Sequence, residues 1–186
     1  MTKNPIQEKR MKEYFLQSAC EIIRAEGIRA LNVRTVAERA GYSFATLYNY
    51  YSDFKELVYH CVVYFLGECE QFIKDSAARS KSDATASRKI AQAYINYFIQ
   101  YPGTFELVFM ERMSELNNDR IGELINNFMN NTWNEEIMGT RSNKSLEVRE
   151  LFNLLNGTLL MYFFRRTPGS YKEFVQKAEK VLELFS

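Results

Sequence analysis

Between Arg34 and Lys55, within the stretch LNVRTVAERAGYSFATLYNYYSDFKEL, side chains that donate hydrogen bonds alternate with small or flat apolar ones. That mixture suits contact with a nucleic-acid groove better than bond-making chemistry. A phosphate oxygen accepts from Ser, Thr or Tyr hydroxyls and from Lys. A base edge accepts a guanidinium bidentately, and a thymine methyl packs against small apolar groups. Nothing elsewhere in the sequence competes as a reaction centre. There are no paired carboxylates with an evident cleft, no nucleophile motif and no phosphate loop, so no enzymatic activity is expected. His60 is the only histidine and has no second imidazole to complete a metal site; no metal or other cofactor is expected. Cys20, Cys61 and Cys69 have neither redox nor metal spacing. Cys61 and Cys69 fall about 12 Å apart along one predicted helix, too far to be bridged.

The elements that would position the donors are legible in the same stretch. Val33, Val36, Ala37 and Ala40 recur at helical spacing, so one side packs inward while Arg34, Thr35, Glu38 and Arg39 stay wet. Asn32 suits the N-cap, and Gly41 stands where a helix ends at positive φ. Ser43 can cap a second helix running from Phe44 to about Tyr50, after a turn of about three residues. There Leu47 and Tyr51 face the core, leaving Phe44, Ala45, Thr46, Tyr48 and Tyr50 for a groove and its phosphates. Asp53 followed by Glu56 has the capping-box pattern for the next helix.

These residues resemble the helix-turn-helix of the TetR (tetracycline-repressor) family. Val33-Arg34, Ala37, Ala40-Gly41, Ser43, Thr46-Leu47-Tyr48, Tyr50 and Glu56-Leu57 fall in register with the family pattern T-V-R-x-I-A-x-x-A-G-V-S-x-G-T-L-Y-x-Y-F-x-S-K-E-E-L. The chain departs from it at Asn32, Tyr42, Ala45 and Phe54, the last standing where the family has a phosphate-contacting Lys. Lys55 points about 100° away around the helix. The resemblance implies that Arg34 reaches a base edge or a nearby phosphate, that Ala45 and Thr46 meet bases, and that Tyr48 and Tyr50 donate to the backbone, Tyr50 having aromatic core as its alternative. Thr35 and Lys55 are secondary phosphate candidates. Phe44 either presses on thymine methyls or packs on the first helix.

At 186 residues and net charge +1, the chain is much longer than a minimal reader and carries no bulk basic field. No apolar run approaches the roughly 20 residues of a spanning helix, and the polar start does not read as a secretory signal, so no membrane association and a cytoplasmic location are expected. Helical periodicity continues throughout, predicting an all-α fold of about nine helices. They divide into a DNA-binding domain over 1–57 and an effector-binding and dimerisation domain over 58–186. The helices are expected over Pro5–Glu26, 33–40, 44–50, 54–78, one from Ser82 or Asp83 to before Pro102, 104–117, 119–138, 144–166 and 171–185.

Bulky aromatics and Met accumulate after residue 58. Phe65, Tyr94, Phe98, Phe105, Phe109, Met113, Phe128, Trp133 and Met161 read either as ordinary core or as the lining of an apolar cavity, with Tyr94, Asn96, Asn127 and Trp133 able to add polar groups. The resemblance favours a small apolar or aromatic effector there. Leu151, Leu155, Thr158, Leu159 and Tyr162 form one broad stripe, and Phe174, Ala178, Val181, Leu182 and Phe185 another. The resemblance makes them a homodimer interface of four helices. The function implied is a bacterial transcriptional regulator, a repressor released by its ligand from a near-palindromic operator in double-stranded DNA. The alternative is a protein-interaction factor of the same fold with weakened DNA reading, suggested by Phe54 and the near-neutral head.

Overall fold

A computed structural model describes residues 4–79, 86–110, 118–133, 144–164 and 170–183. All regular structure among the described residues is helical. Nine α-helices follow in order: α1 (Pro5–Glu26), α2 (Val33–Ala40), α3 (Phe44–Leu47), α4 (Phe54–Arg79), α5 (Ala86–Gln100), α6 (Pro102–Phe105), α7 (Asn118–Thr132), α8 (Lys144–Phe163) and α9 (Tyr171–Glu183). A 3-10 turn, Ile28–Ala30, precedes α2, and a π-helical turn, Glu106–Met110, continues α6.

The chain packs as two compact units, one of residues up to Phe65 with Tyr101–Gly122, the other of Leu66–Gln100 with Glu123–Ser186. In the first unit, α1 starts because the Asn4 side chain accepts from the Ile6 amide at 3.0 Å and Pro5 lacks the donor that a first-turn residue would leave unpaired. It stops at Gly27, φ 82°, whose amide returns to the Ile23 carbonyl. The inner face of α1 (Met11, Phe15, Ala19, Ile22 and Ile23) is buried, while Tyr14 is exposed. Each such fully buried Phe or Ile stabilises the fold by roughly 1.5–3 kcal/mol. Leu57, Val58, Cys61, Val62 and Phe65 complete this core from α4. The fifth helix ends at Gln100, before Pro102 as expected, and the next starts at Pro102 rather than at 104: Pro102 takes the first position, and a Cβ on Gly103 would strike the Ile23 carbonyl. Glycine thus lets α6 lie against the end of α1. Beside it the Arg24 guanidinium stands 5.3 Å from the Phe65 and Tyr101 ring centres.

In the second unit α5 packs on α8 and α9, and α9 packs on α8. Its core is aromatic: Tyr94, Tyr97 and Phe98 from α5, Phe128 and Trp133 from α7 and its end, Phe152 from α8 and Phe174 from α9 are all buried. The expected ends of the helices at 117, 138, 166 and 185 lie outside the described residues.

Candidate nucleic-acid interface and effector core

Asn32, extended at φ −152°, accepts from the Arg34 and Thr35 amides at 3.0 and 3.1 Å. Thr35 closes the box: its hydroxyl accepts from the Asn32 amide and donates to the Ala30 carbonyl at 2.8 Å. Its one proton is therefore engaged in the cap. Gly41, φ 76°, ends α2, its amide donating to the Glu38 carbonyl and that of Tyr42 to the Ala37 carbonyl, a Schellman ending. Ser43 then accepts from the Thr46 amide at 3.2 Å and starts α3.

The second motif helix is shorter than the sequence suggests. Regular α-helix ends at Leu47, and residues 48–50 tighten into a turn in which the Asn49 and Tyr50 amides reach back three residues. Two anchors hold it. Leu47 is fully buried, and Tyr51, also buried, donates its hydroxyl to the Lys12 carbonyl at 2.9 Å. Burial is the main cause that pushes the Tyr51 phenol far up, so it stays a donor. Arg34, Ser43 and Ala45 are exposed, as are Phe44 (57%) and Tyr48 (48%); Thr35, Thr46, Tyr50 and Lys55 are half-buried. The two alternatives for Phe44 are resolved in favour of exposure. Tyr42 and Tyr50 take the place beside α1, their ring centres 5.7 and 6.2 Å from that of Phe15.

The start of α4 is capped differently from the expected box. Asp53 accepts from the Glu56 amide at 2.7 Å, but the Glu56 carboxylate passes Asp53 and accepts from both the amide and the hydroxyl of Ser52, each at 2.7 Å. Those two bonds, the backbone one foremost, hold the Glu56 carboxyl below its ordinary range, with Lys12 and His60 helping. His60 lies edge-on to Tyr51 and Tyr59, and no group of His, Cys, Asp and Glu among the described residues could hold a metal ion. All three cysteines are free and buried. The Cys61 thiol is pushed up by its hydrogen bond to Cys20 and by burial.

The nine residues proposed from sequence as cavity lining do not form one group. Tyr94, Phe98, Phe128 and Trp133 come together in the second unit, the Tyr94 ring centre 4.9, 6.2 and 5.3 Å from the other three. Phe65, Phe105 and Phe109 belong to the first unit, the last two in ring contact at 5.0 Å. Met161 is exposed on α8, and Met113 lies outside the described residues. Of the polar candidates, Asn127 is exposed and Asn96 accepts from the Tyr171 hydroxyl. Sequence reasoning missed Phe152, 5.8 Å from both Tyr94 and Trp133, and Asn156, whose side-chain carbonyl accepts from the Tyr94 hydroxyl at 2.6 Å. Their spacing of four on α8, which puts both on one face, was the available signal. Burial pushes the Tyr94 phenol well up.

The interface stripe also needs correction. Leu151, Leu155, Leu159, Phe174 and Ala178 are buried within the single chain, so they have no surface left to give a partner. Thr158 and Tyr162 are half-buried, the Tyr162 ring lying on Phe174 at 4.4 Å. Phe185 and the side chains of Val181 and Leu182 lie outside what is described. The apolar face that α8 leaves open is Leu154, Gly157, Met161 and Phe164, with Leu160 at its side.

Residues 15–60 match the family of bacterial regulatory proteins described as the tetR family. No curated protein matches the chain in sequence. Among solved structures, a TetR-family transcriptional regulator from Mesorhizobium loti MAFF303099 is similar with a TM-score of 0.70 at 16% identity, covering 100% of this chain and 97% of its own. The transcriptional regulator FadR from Bacillus subtilis, solved with stearoyl-CoA, gives 0.63 at 19% identity over 93% and 96% of the two chains. The multidrug binding protein EbrR, solved with imidazole, gives 0.61 at 14% over 91% and 93%. The capped helix pair thus lies within a segment that matches the tetR family, and the chain as a whole shares the fold of these solved regulators.

Proposed function

We propose that this protein is a DNA-binding transcriptional regulator, a homodimeric repressor that leaves a near-palindromic operator when a small apolar or aromatic molecule enters the second unit. The observation that carries the reading is the outward face of the motif. Arg34, Ala45, Phe44 and Tyr48 are exposed while Leu47 and Tyr51 anchor the same segment from inside. A side chain that is exposed on a rigidly capped element can meet base edges and phosphates without reorganising. Thr46 and Tyr50 add partly exposed hydroxyls, and Ser43 and Lys55 flank them.

Dimerisation is supported by the open face of α8. Leu154, Gly157, Met161 and Phe164 recur at helical spacing, and Leu154, Met161 and Phe164 expose 42, 44 and 51% of their surface. A contiguous apolar stripe of this kind marks an association surface, and a self-complementary patch gives a two-fold dimer. Two recognition elements about 34–36 Å apart would read successive major grooves. The second unit supports the effector through its buried aromatic cluster. To move the operator-bound fraction from 99:1 to 1:99, the ligand must distinguish the two conformations by about 5.5 kcal/mol.

The test is binding of purified protein to DNA flanking its own gene, comparing wild type with Arg34→Ala at two salt concentrations. Specific binding that weakens with salt and falls about tenfold or more in the variant is expected. Wild type binding that DNA no better than random sequence, followed by no enriched sequence in a genome-wide pull-down, refutes DNA reading. Sedimentation of wild type against Met161→Glu tests the dimer. Equal effector affinity for free and operator-bound protein, by calorimetry, refutes ligand release.

A further inference from the structure

In the second unit Trp133, a member of the aromatic cluster, and its chain neighbour Thr132 carry buried polar groups that no described residue pairs. Thr132 and Trp133, consecutive at the end of α7, are 4% and 3% exposed. The Thr132 hydroxyl and the Trp133 indole Nε1–H are both buried, and neither has a hydrogen-bond partner among the described residues. The other polar groups nearby are provided for. Tyr94 donates to Asn156 and Tyr97 donates to Glu68 at 2.8 Å. Buried donors are almost always paired, so two adjacent orphans need an account.

The surroundings define what could pair with them. The Trp133 ring lies edge-on to Tyr94 at 5.3 Å, Phe152 at 5.8 Å and Phe128 at 6.4 Å. Flat walls select a flat molecule, and ring edges meeting ring faces favour an aromatic one. Donors without a neighbouring acceptor select a molecule with an acceptor and no need to donate. The described rings around Trp133 are uncharged, so an ionised group among them would lose its hydration without a counter-charge. We infer that the second unit binds a neutral, planar aromatic compound carrying a carbonyl or comparable acceptor oxygen, held by hydrogen bonds from Trp133 Nε1–H and Thr132 Oγ1 between the rings of Tyr94, Phe128 and Phe152. This rests on the reading of the second unit as the effector region and adds the chemistry of the effector.

Trp133 is the single tryptophan of the chain, so its fluorescence reports this site. The probes are two matched pairs, 9-fluorenone with fluorene and acetophenone with ethylbenzene, each differing in the carbonyl oxygen. At least one ketone should quench Trp133 and bind the full-length wild type at least tenfold tighter than its hydrocarbon partner by calorimetry. Trp133→Phe and Thr132→Val, each checked for folding by circular dichroism, should bring the ketone down toward the hydrocarbon and leave the hydrocarbon where it was. Equal binding of ketone and hydrocarbon, or binding of neither, overturns the inference, as does a preference that survives both variants. A ketone that binds as expected yet leaves operator-bound protein in place sinks the release reading while this assignment stands.

Discussion

The head and the second unit solve the same problem, placing polar groups around an apolar core, over very different distances along the chain. In the head most of the bonds that shape the motif join near neighbours, Asn32 with Arg34 and Thr35, Ser43 with Thr46, Glu56 with Ser52, with Tyr51 to Lys12 the long-range exception. In the second unit they join residues 62, 29 and 75 positions apart: Tyr94 with Asn156, Tyr97 with Glu68, and Tyr171 with Asn96. Local bonds form as soon as a turn forms and specify one backbone shape. Distant bonds form only once the helices have packed, so they depend on everything else in the unit. The head is thereby suited to present a fixed surface, whereas the polar bonds of the second unit depend on how its helices pack.

The sharpest way to break that contrast is to remove the side chain on which the head depends non-locally. Phe15 is fully buried and carries the rings of Tyr42 and Tyr50. Phe15→Ala should cost about 3–5 kcal/mol, read as a lower urea midpoint, and should weaken specific DNA binding because the segment around α3 loses its backing. A variant that kept wild-type stability would mean the caps alone hold the motif together.

A smaller loss is expected from the second unit. Tyr94→Phe removes a hydroxyl and leaves the Asn156 carbonyl without its donor in a buried setting, costing about 1–3 kcal/mol. The double variant with Asn156→Leu should recover part of that loss, since removing both partners costs less than orphaning one. Additive losses in the two variants would show that this distant bond does not couple α5 to α8.

Local order in the head can be tested at Asn32. Asn32→Ala should cost about 1 kcal/mol, typical of a lost N-cap. Hydrogen exchange should quicken at the Arg34 and Thr35 amides, which the cap engages, and remain slow in α5. Loss of protection spreading to α5 would erase the distinction drawn between the two units.

The same contrast decides what the sequence could reveal. Asn4, Asn32, Ser43, Gly27 and Gly41 mark helix ends by chemistry that acts within a few residues, and the structure places helix boundaries at each. Sequence periodicity carries the second motif helix to Tyr50, past its end at Leu47, because that ending depends on Leu47 and Tyr51 being drawn inward, a tertiary effect. On α8 nearly every face is apolar, so periodicity could not say whether Leu151 and Leu155 or Leu154 and Met161 faced the core. The aromatic residues were visible as a group, but composition carries no record of which unit each joins. Phe65 and Phe105 therefore stood beside Trp133 in the reading from sequence and belong to the other unit.

The smallest effect concerns Glu56, whose carboxyl is held below its ordinary range chiefly by the Ser52 amide and then by the Ser52 hydroxyl. Its unfolded value is near about 4.3. A carboxyl depressed in the folded state contributes its stability in full above the unfolded value and loses it as pH falls through the folded one. Wild type should therefore exceed Glu56→Gln in urea midpoint at neutral pH, and the gap should close progressively below about pH 5. Glu56 is partly exposed, and added salt should shrink the contribution of Lys12 and His60 more than that of Ser52, because the Ser52 bonds are short and direct. Ser52→Ala keeps the amide bond and removes only the hydroxyl, so it should show a reduced version of the same pH dependence. Parallel pH profiles for wild type and Glu56→Gln would mean that the carboxylate's charge does not stabilise the start of α4, and that Asp53 caps this helix by itself.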